Sequence, residues 1–123
     1  MVINFKNTPI RRPVTNLLTL IIMVGIALLI SSVAAADEEI ALTIQEHRFI
    51  PNEINIKSGT KVKLVVTNKD KGAEEFESSD LNREKLIHPG QSITIHLPQL
   101  KPGTYEFFGE FHPETAKGKI IVE

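Results

Sequence analysis

The sequence predicts an all-β domain, a Greek-key β-sandwich of about seven strands, over residues 37–123. Apolar residues alternate with polar ones in several short segments, which is the period of a strand with one buried face. Glycine, proline, asparagine and aspartate separate these segments, as turn residues do between neighbouring strands. So many short alternating segments in one small domain favour antiparallel pairing and a sandwich.

The predicted strands follow this alternation from the first acidic residues to the C-terminus. They are residues 40–45, 54–56, 62–66, 74–78, 93–97, 104–108 and 119–122. Residues 79–88 are the one stretch in which a helical turn is expected. Pro51 predicts a kinked crossover after the first strand, because proline cannot donate a hydrogen bond within a ladder. Tyr105 follows Pro102-Gly103 at the start of a strand, which predicts a hydrogen bond from its hydroxyl to the preceding backbone.

Residues 1–36 predict a signal peptide. A basic N-terminal segment precedes an apolar run from Leu17 to Ile30, and small residues ending in Ala34-Ala35-Ala36 follow it. This order is typical of a secretory leader that is cut after Ala36. The alternative is an uncleaved anchor, for which the run is short against the ~20 apolar residues that a spanning helix prefers. The expected location is therefore the periplasm, with an inner-membrane anchor as the alternative.

The charge and the residue inventory of the domain exclude several classes of function. All 15 acidic residues of the chain lie after residue 36 and outnumber the basic residues there. No nucleic-acid partner is expected, because binding to nucleic acid needs a basic surface. The chain has no cysteine, so it can form neither a disulfide nor a metal thiolate. The sequence lacks the serine, cysteine and histidine patterns of hydrolases and the glycine-rich loop of nucleotide-binding proteins, so neither activity is expected.

The domain resembles the cupredoxin-like family over residues 40–123. The segments that carry the resemblance are Ile56 to Val62, Val66 to Asn68, Glu74 to Glu77, Pro102 to Phe107 and the final stretch from Phe108 to Gly118. Blue-copper members of this family use two histidines, one cysteine and usually a methionine. The resemblance places the first histidine at Glu74, with Glu75 as the alternative, the cysteine at Gly109 and the second histidine at His112. Blue-copper electron transfer is therefore not expected, because it depends on a copper–thiolate bond.

The resemblance implies a metal site at one end of the sandwich, built from one imidazole and several carboxylates. The candidate metal ligands are His112, Glu74, Glu75, Glu110 and Glu106. Oxygen-rich sites suit iron, and an imidazole makes copper(II) an equally suitable ion, so the expected cofactor is iron or copper(II). If Phe76 packs inward, alternation also buries Glu74, whose carboxylate then needs a partner. His47 belongs to no metal-binding pattern and is not among the candidates.

Within this family the sequence is most similar to the periplasmic cupredoxin-like components of ferrous-iron uptake systems. That resemblance implies a protein that binds iron or copper(II) and assists iron uptake or oxidation beside an inner-membrane iron permease or another periplasmic protein. Any ferroxidase-like activity would depend on a partner, because the domain contains no second redox group, and whether the protein is an enzyme stays open. Two alternatives remain: a metal-free β-sandwich adaptor in a membrane complex and a periplasmic copper(II) carrier.

Overall fold

Nine β-strands make up the domain. The computed structural model describes Val2 and residues 37–123, so the predicted signal peptide or anchor falls outside the described residues apart from Val2. The strands are β1 (Glu38–Gln45), β2 (Arg48–Ile50), β3 (Glu53–Ile56), β4 (Val62–Asn68), β5 (Glu74–Ser78), β6 (Arg83–Ile87), β7 (Ser92–Leu97), β8 (Gly103–Gly109) and β9 (Lys117–Val122). Among the described residues, no helix is long and apolar enough to span a membrane.

The strands form the two sheets of a sandwich, which confirms the predicted all-β class. One sheet has the order β2-β1-β4-β7 and the other has the order β3-β9-β8-β5-β6. Two of the pairs, β1 with β4 and β3 with β9, are parallel, so the expectation of a purely antiparallel domain was wrong. The chain leaves the first sheet between Ile50 and Glu53, around the predicted crossover at Pro51, and enters the second sheet alongside the C-terminal strand. Alternation shows which side of a strand is buried but carries no information on the direction of its neighbour.

Two strands were not predicted, and both lie at a sheet edge. β2 has three residues, which is too short for alternation to be visible. β6 covers half of the stretch in which a helical turn was expected, and it pairs antiparallel with β5 instead. Its sequence is dominated by charged residues because only Ile87 of this strand is buried. The prediction of about seven strands is therefore corrected to nine, and the predicted helical turn was wrong.

The core fills the space between the sheets. Each of the nine strands contributes at least one buried apolar residue to it, so residues 37–123 contain a complete core and form a domain that folds by itself. Three phenylalanines, Phe49, Phe76 and Phe107, lie at its centre, with ring centroids 5.0 to 6.0 Å apart. They come from β2, β5 and β8, the strands that lead into the candidate site. The rings therefore hold these three strands in a fixed relation through direct packing.

Two polar residues fasten connections at the ends of the sandwich. The hydroxyl of Tyr105 donates a hydrogen bond of 2.8 Å to the carbonyl of Lys101, as the sequence predicted. Asn68, the last residue of β4, is fully buried and donates hydrogen bonds to the carbonyls of Gly72 and Ile87. Its side-chain oxygen accepts a hydrogen bond from the backbone N–H of Asp70 at 3.0 Å. Asn68 thereby fixes the loop that follows β4.

Candidate functional site

His112 lies in the loop of residues 110–116, which joins β8 to β9. The loop is closed by a hydrogen bond of 2.8 Å from the N–H of Gly109 to the carbonyl of Ala116. A second bond of 2.8 Å runs from the N–H of Ala116 to the carbonyl of His112. The imidazole is about one-third exposed, since its side chain has a relative accessibility of 32%. The backbone of the loop is therefore fixed while one part of the ring faces solvent.

Glu74, at the start of β5, points into the same end of the sandwich and is only 2% exposed. Its Oε2 lies 2.6 Å from Nδ1 of His112. Its Oε1 accepts hydrogen bonds from the backbone N–H groups of Phe111 at 2.9 Å and Glu75 at 3.0 Å. The alternation of β5 had predicted this burial and the need for a partner. The partner in the structure is an imidazole and two amides, which offset the desolvation of the carboxylate.

Gly109 is the position at which the family resemblance places the copper-binding cysteine. A β-carbon at residue 109 would lie 2.6 Å from Cδ of Glu74 and 2.7 Å from Cβ of Ala116, which is closer than real β-carbons approach other atoms. The Glu74 carboxylate thus fills the space that a side chain at 109 would need. A blue-copper centre does not fit these residues, because the chain has no cysteine and the carboxylate takes its place.

His47 completes this end of the sandwich. Its ring stacks on the ring of His112 with a centroid distance of 3.5 Å and an interplanar angle of 8°. His47 lies in the two-residue turn between β1 and β2, and the carboxylate of Asp70 accepts hydrogen bonds from the N–H groups of Glu46 and His47. The sequence did not predict a role for His47 at this site, since His47 is distant along the chain from His112. The sequence carries no turn signal at these positions, because the asparagine and glycine that usually mark such a turn are absent.

The other predicted ligands do not join Glu74 and His112. Glu75 faces the outside of the second sheet, where its carboxylate lies with those of Glu77 and Glu84, with donor atoms within 4.8 Å of one another. A hydrogen bond with Glu84, partial desolvation and repulsion by Glu84, Glu77 and Glu110 raise the pKa of Glu75 above its ordinary value of 4.5. This arrangement is an acidic patch without a nearby imidazole.

Glu110 and Glu106 are both exposed. Glu110 follows β8, and its N–H donates a hydrogen bond of 2.9 Å to the carbonyl of Glu75. Glu106 lines an open groove of about 640 Å³ on the outer face of the second sheet, together with Phe108 and Lys117. The structure therefore brings together two of the five predicted ligands and adds His47 to them.

The sequence of the chain matches a known family. A profile described as the cupredoxin-like domain matches residues 18–122. An uncharacterized protein of Rickettsia prowazekii (strain Madrid E) is 51% identical over 84 residues, which make up 68% of this chain and 67% of that protein.

Solved structures with the same fold include proteins whose names refer to copper. Auracyanin A, a blue copper protein from Chloroflexus aurantiacus, has a TM-score of 0.62 and 13% identity over 72% of this chain and 100% of its own. The metal-binding domain of the Cu(I)-exporting P-type ATPase CopA of Streptococcus pneumoniae D39 has a TM-score of 0.62 and 15% identity, over 69% of this chain and 84% of its own. A heme-copper terminal oxidase dimer gives a TM-score of 0.60 and 21% identity, over 87% of this chain and 91% of its own. At these identities the likeness establishes the fold.

Proposed function

This chain belongs to the cupredoxin-like domain family, and on that basis we propose that it is a periplasmic metal-binding protein whose site lies at the His112 end of the sandwich. The ion is iron or copper(II), carried as cargo. Its role is to receive or help oxidise iron beside an inner-membrane iron permease or another periplasmic protein. The expected leader and the similarity to ferrous-iron uptake components support the location and the partner.

The observation that carries the proposal is the contact of 2.6 Å between Glu74 Oε2 and His112 Nδ1. A histidine that ligates a metal commonly bonds its other ring nitrogen to a carboxylate, which fixes the tautomer and orients the ring. Here Nδ1 is used by a buried carboxylate, so Nε2 is the nitrogen left for an ion. Glu74 therefore acts as a positioning residue in this proposal, and not as the direct ligand that the resemblance implied.

The oxidation state of bound iron depends on the ligands that join the imidazole. Oxygen donors favour iron(III) over iron(II), because the harder ion gains more from charged oxygen ligands. Oxidation of bound iron(II) would release one electron, and a partner protein or oxygen would have to accept it. The domain is therefore proposed as a site of binding and transfer, with any ferroxidase-like activity dependent on that partner.

A second candidate function is a metal-free adaptor in a membrane complex. The observation that favours it is the completeness of the hydrogen bonding at the site. Within the part of the chain that the structure describes, no buried side-chain nitrogen or oxygen lacks a partner, and Glu74 is satisfied without an ion. A site that is already satisfied gains less from binding a metal than one with orphaned donors.

Anaerobic titration of residues 37–123 with iron(II), copper(II) and zinc(II), followed by calorimetry, separates the two functions. The metal-binding function predicts one ion per chain with a Kd near 1 μM or below, about 8 kcal/mol. His112→Ala should weaken that binding by more than tenfold. His96→Ala is the matched control, because His96 is an exposed histidine on β7 and pairs with Lys63 of β4. Binding no tighter than about 1 mM, or equal binding by His112→Ala, would favour the adaptor.

A further inference from the structure

The hairpin between β1 and β2 has an unusual turn. Gln45 pairs with Arg48, so Glu46 and His47 are its two loop residues. Both have positive φ angles, 52° for Glu46 and 56° for His47. Positive φ at both central residues is the signature of a type I′ turn, which strongly favours Asn-Gly because asparagine and glycine adopt positive φ more readily than other residues. Glu-His at these two positions makes the turn less stable than glycine would.

A network of hydrogen bonds that reaches from the surface to buried Asn68 holds this turn in place. The carboxylate of Asp70 accepts the N–H of Glu46 at 2.7 Å through Oδ1 and the N–H of His47 at 2.9 Å through Oδ2. Asp70 is in turn held by Asn68, whose side-chain oxygen accepts the N–H of Asp70. Asn68 is fully buried. Conformations of this kind persist where the surroundings impose them, and they are concentrated at functional sites.

The result of the turn is that the imidazole of His47 lies against that of His112. The centroid distance of 3.5 Å is that of direct ring contact. His47 is exposed, whereas His112 is held by Glu74. The side chain of His47 can therefore rotate while His112 stays fixed. While the rings are parallel one ion cannot lie in both ring planes, so binding requires His47 to turn out of the stack.

We infer that His47 is the second imidazole ligand of the site and that the pair selects copper(II), an inference that rests on the proposed metal-binding function. Imidazole nitrogen suits copper and zinc, and among divalent ions of the first transition row copper(II) binds such donors most tightly. A site with two imidazoles therefore binds copper(II) more tightly than iron(II). Asp70 and Asn68 act as positioning residues that hold the backbone of the turn, so that the imidazole of His47 stays within reach of the His112 site.

The test uses copper(II) alone as the probe and three variants of residues 37–123. His47→Gly removes the second imidazole, and Glu46→Gly is its matched control in the same turn. Glycine adopts positive φ without strain, so both variants keep the hairpin. The expected result is a loss of copper(II) affinity of at least tenfold in His47→Gly, which is about 1.4 kcal/mol, and no loss in Glu46→Gly. His112→Ala is the third variant and should lose affinity as well.

Electron paramagnetic resonance gives an independent readout, because nitrogen ligands split the copper(II) signal. Two coupled nitrogens are expected in the unchanged domain and in Glu46→Gly, and one in His47→Gly. If His47→Gly binds copper(II) as tightly as the unchanged domain and shows the same nitrogen coupling, while His112→Ala loses affinity, the inference is overturned and the proposed function stands. If the unchanged domain binds no copper(II), or if neither His47→Gly nor His112→Ala lowers the affinity, both are overturned.

Discussion

Glu74 and His112 form a pair in which one partner is buried and the other is partly open. Oε2 of Glu74 is 2.6 Å from Nδ1 of His112, and the relative accessibilities of the two side chains are 2% and 32%. The carboxylate also accepts two backbone N–H groups. The pair therefore connects the fold of the loop to the orientation of the ring, and changes at Glu74 should affect both stability and metal binding.

Glu74→Gln should destabilise residues 37–123 by about 1–3 kcal/mol, because an amide cannot accept from all the donors that surround the carboxylate. Metal affinity should also fall, by roughly 10–100-fold, since the imidazole loses the group that orients it. Denaturant unfolding and metal titration measure the two effects. Glu114→Gln, at an exposed glutamate in the loop that contains His112, is the control and should change neither by much. A Glu74→Gln domain as stable as the unchanged one would contradict this account.

Gly109→Ala should cost about 1–3 kcal/mol of stability, because the added β-carbon overlaps the Glu74 carboxylate and Ala116. The measurement is the change in the free energy of unfolding. Gly72→Ala serves as the comparison, since a β-carbon at that position meets no atom within 4 Å. Equal stability of the two variants would show that the contact between residues 74 and 109 is looser than described.

Asp70→Ala should lower stability by about 1–2 kcal/mol, because two backbone N–H groups of the β1–β2 turn lose their acceptor. Adding Glu46→Gly should restore part of that loss, since the turn then needs less support. The combination is checked by thermal or denaturant unfolding of the single and double variants. If Glu46→Gly does not raise the free energy of unfolding of the Asp70→Ala variant, Asp70 does not stabilise the domain through this turn.

Tyr105→Phe removes the hydroxyl that donates to the carbonyl of Lys101. The expected loss is about 0.5–1.5 kcal/mol, the usual net contribution of one intramolecular hydrogen bond. The change should leave metal binding intact, because it lies at a corner between sheet strands and away from the Glu74–His112 contact. An unchanged unfolding midpoint would mean that water replaces this bond at no cost.

The acidic patch of Glu75, Glu77 and Glu84 should make stability depend on pH. The pKa of Glu75 is raised in the folded domain, so the proton is bound more tightly there than in the unfolded chain. Its contribution to stability is fully present below pH 4.5 and is lost as the pH rises through the raised value. Glu84→Gln should lower the pKa of Glu75 toward 4.5 and reduce the loss of stability between pH 4 and pH 7.

Two measurements check this prediction in the metal-free domain. Nuclear magnetic resonance follows the side-chain carboxyl of Glu75 during titration, and denaturant unfolding at the two pH values gives the change in stability. Glu114→Gln, at an exposed glutamate in the loop that contains His112, is the control. A pKa of Glu75 that does not move in Glu84→Gln would show that the hydrogen bond between these side chains is not its main cause.

The sequence was sufficient to predict the fold class and the burial of the Glu74 side chain. Alternation in β5 placed Glu74 on the same face as Phe76, and that face is buried in the structure. The edge strands β2 and β6 were missed because one is very short and the other buries a single residue. Alternation describes each strand separately, so strands of this kind leave too weak a signal.

The partner of the buried carboxylate was harder to predict, because it depends on distances between segments far apart in the chain. Glu74 and His112 are separated by 38 residues, and only the folded sheet brings them into contact. The role of His47 depends further on a strained turn and on Asp70, and neither leaves a periodic pattern. The disagreement between the residues of this turn and its backbone conformation is visible only in the structure, and such disagreements are common at functional sites.

The overlap between Glu74 and a β-carbon at residue 109 also bears on how this site can change through evolution. A cysteine gained at position 109 in the present chain would have no room beside the carboxylate. Loss of Glu74 first would leave His112 without its partner and the loop amide of Phe111 without its acceptor. Whether the cysteine is gained first or Glu74 is lost first, the intermediate sequence is less stable than the present one. The carboxylate site and a thiolate site are thus two alternatives on one scaffold, and the lower stability of the intermediates disfavours a change from one to the other.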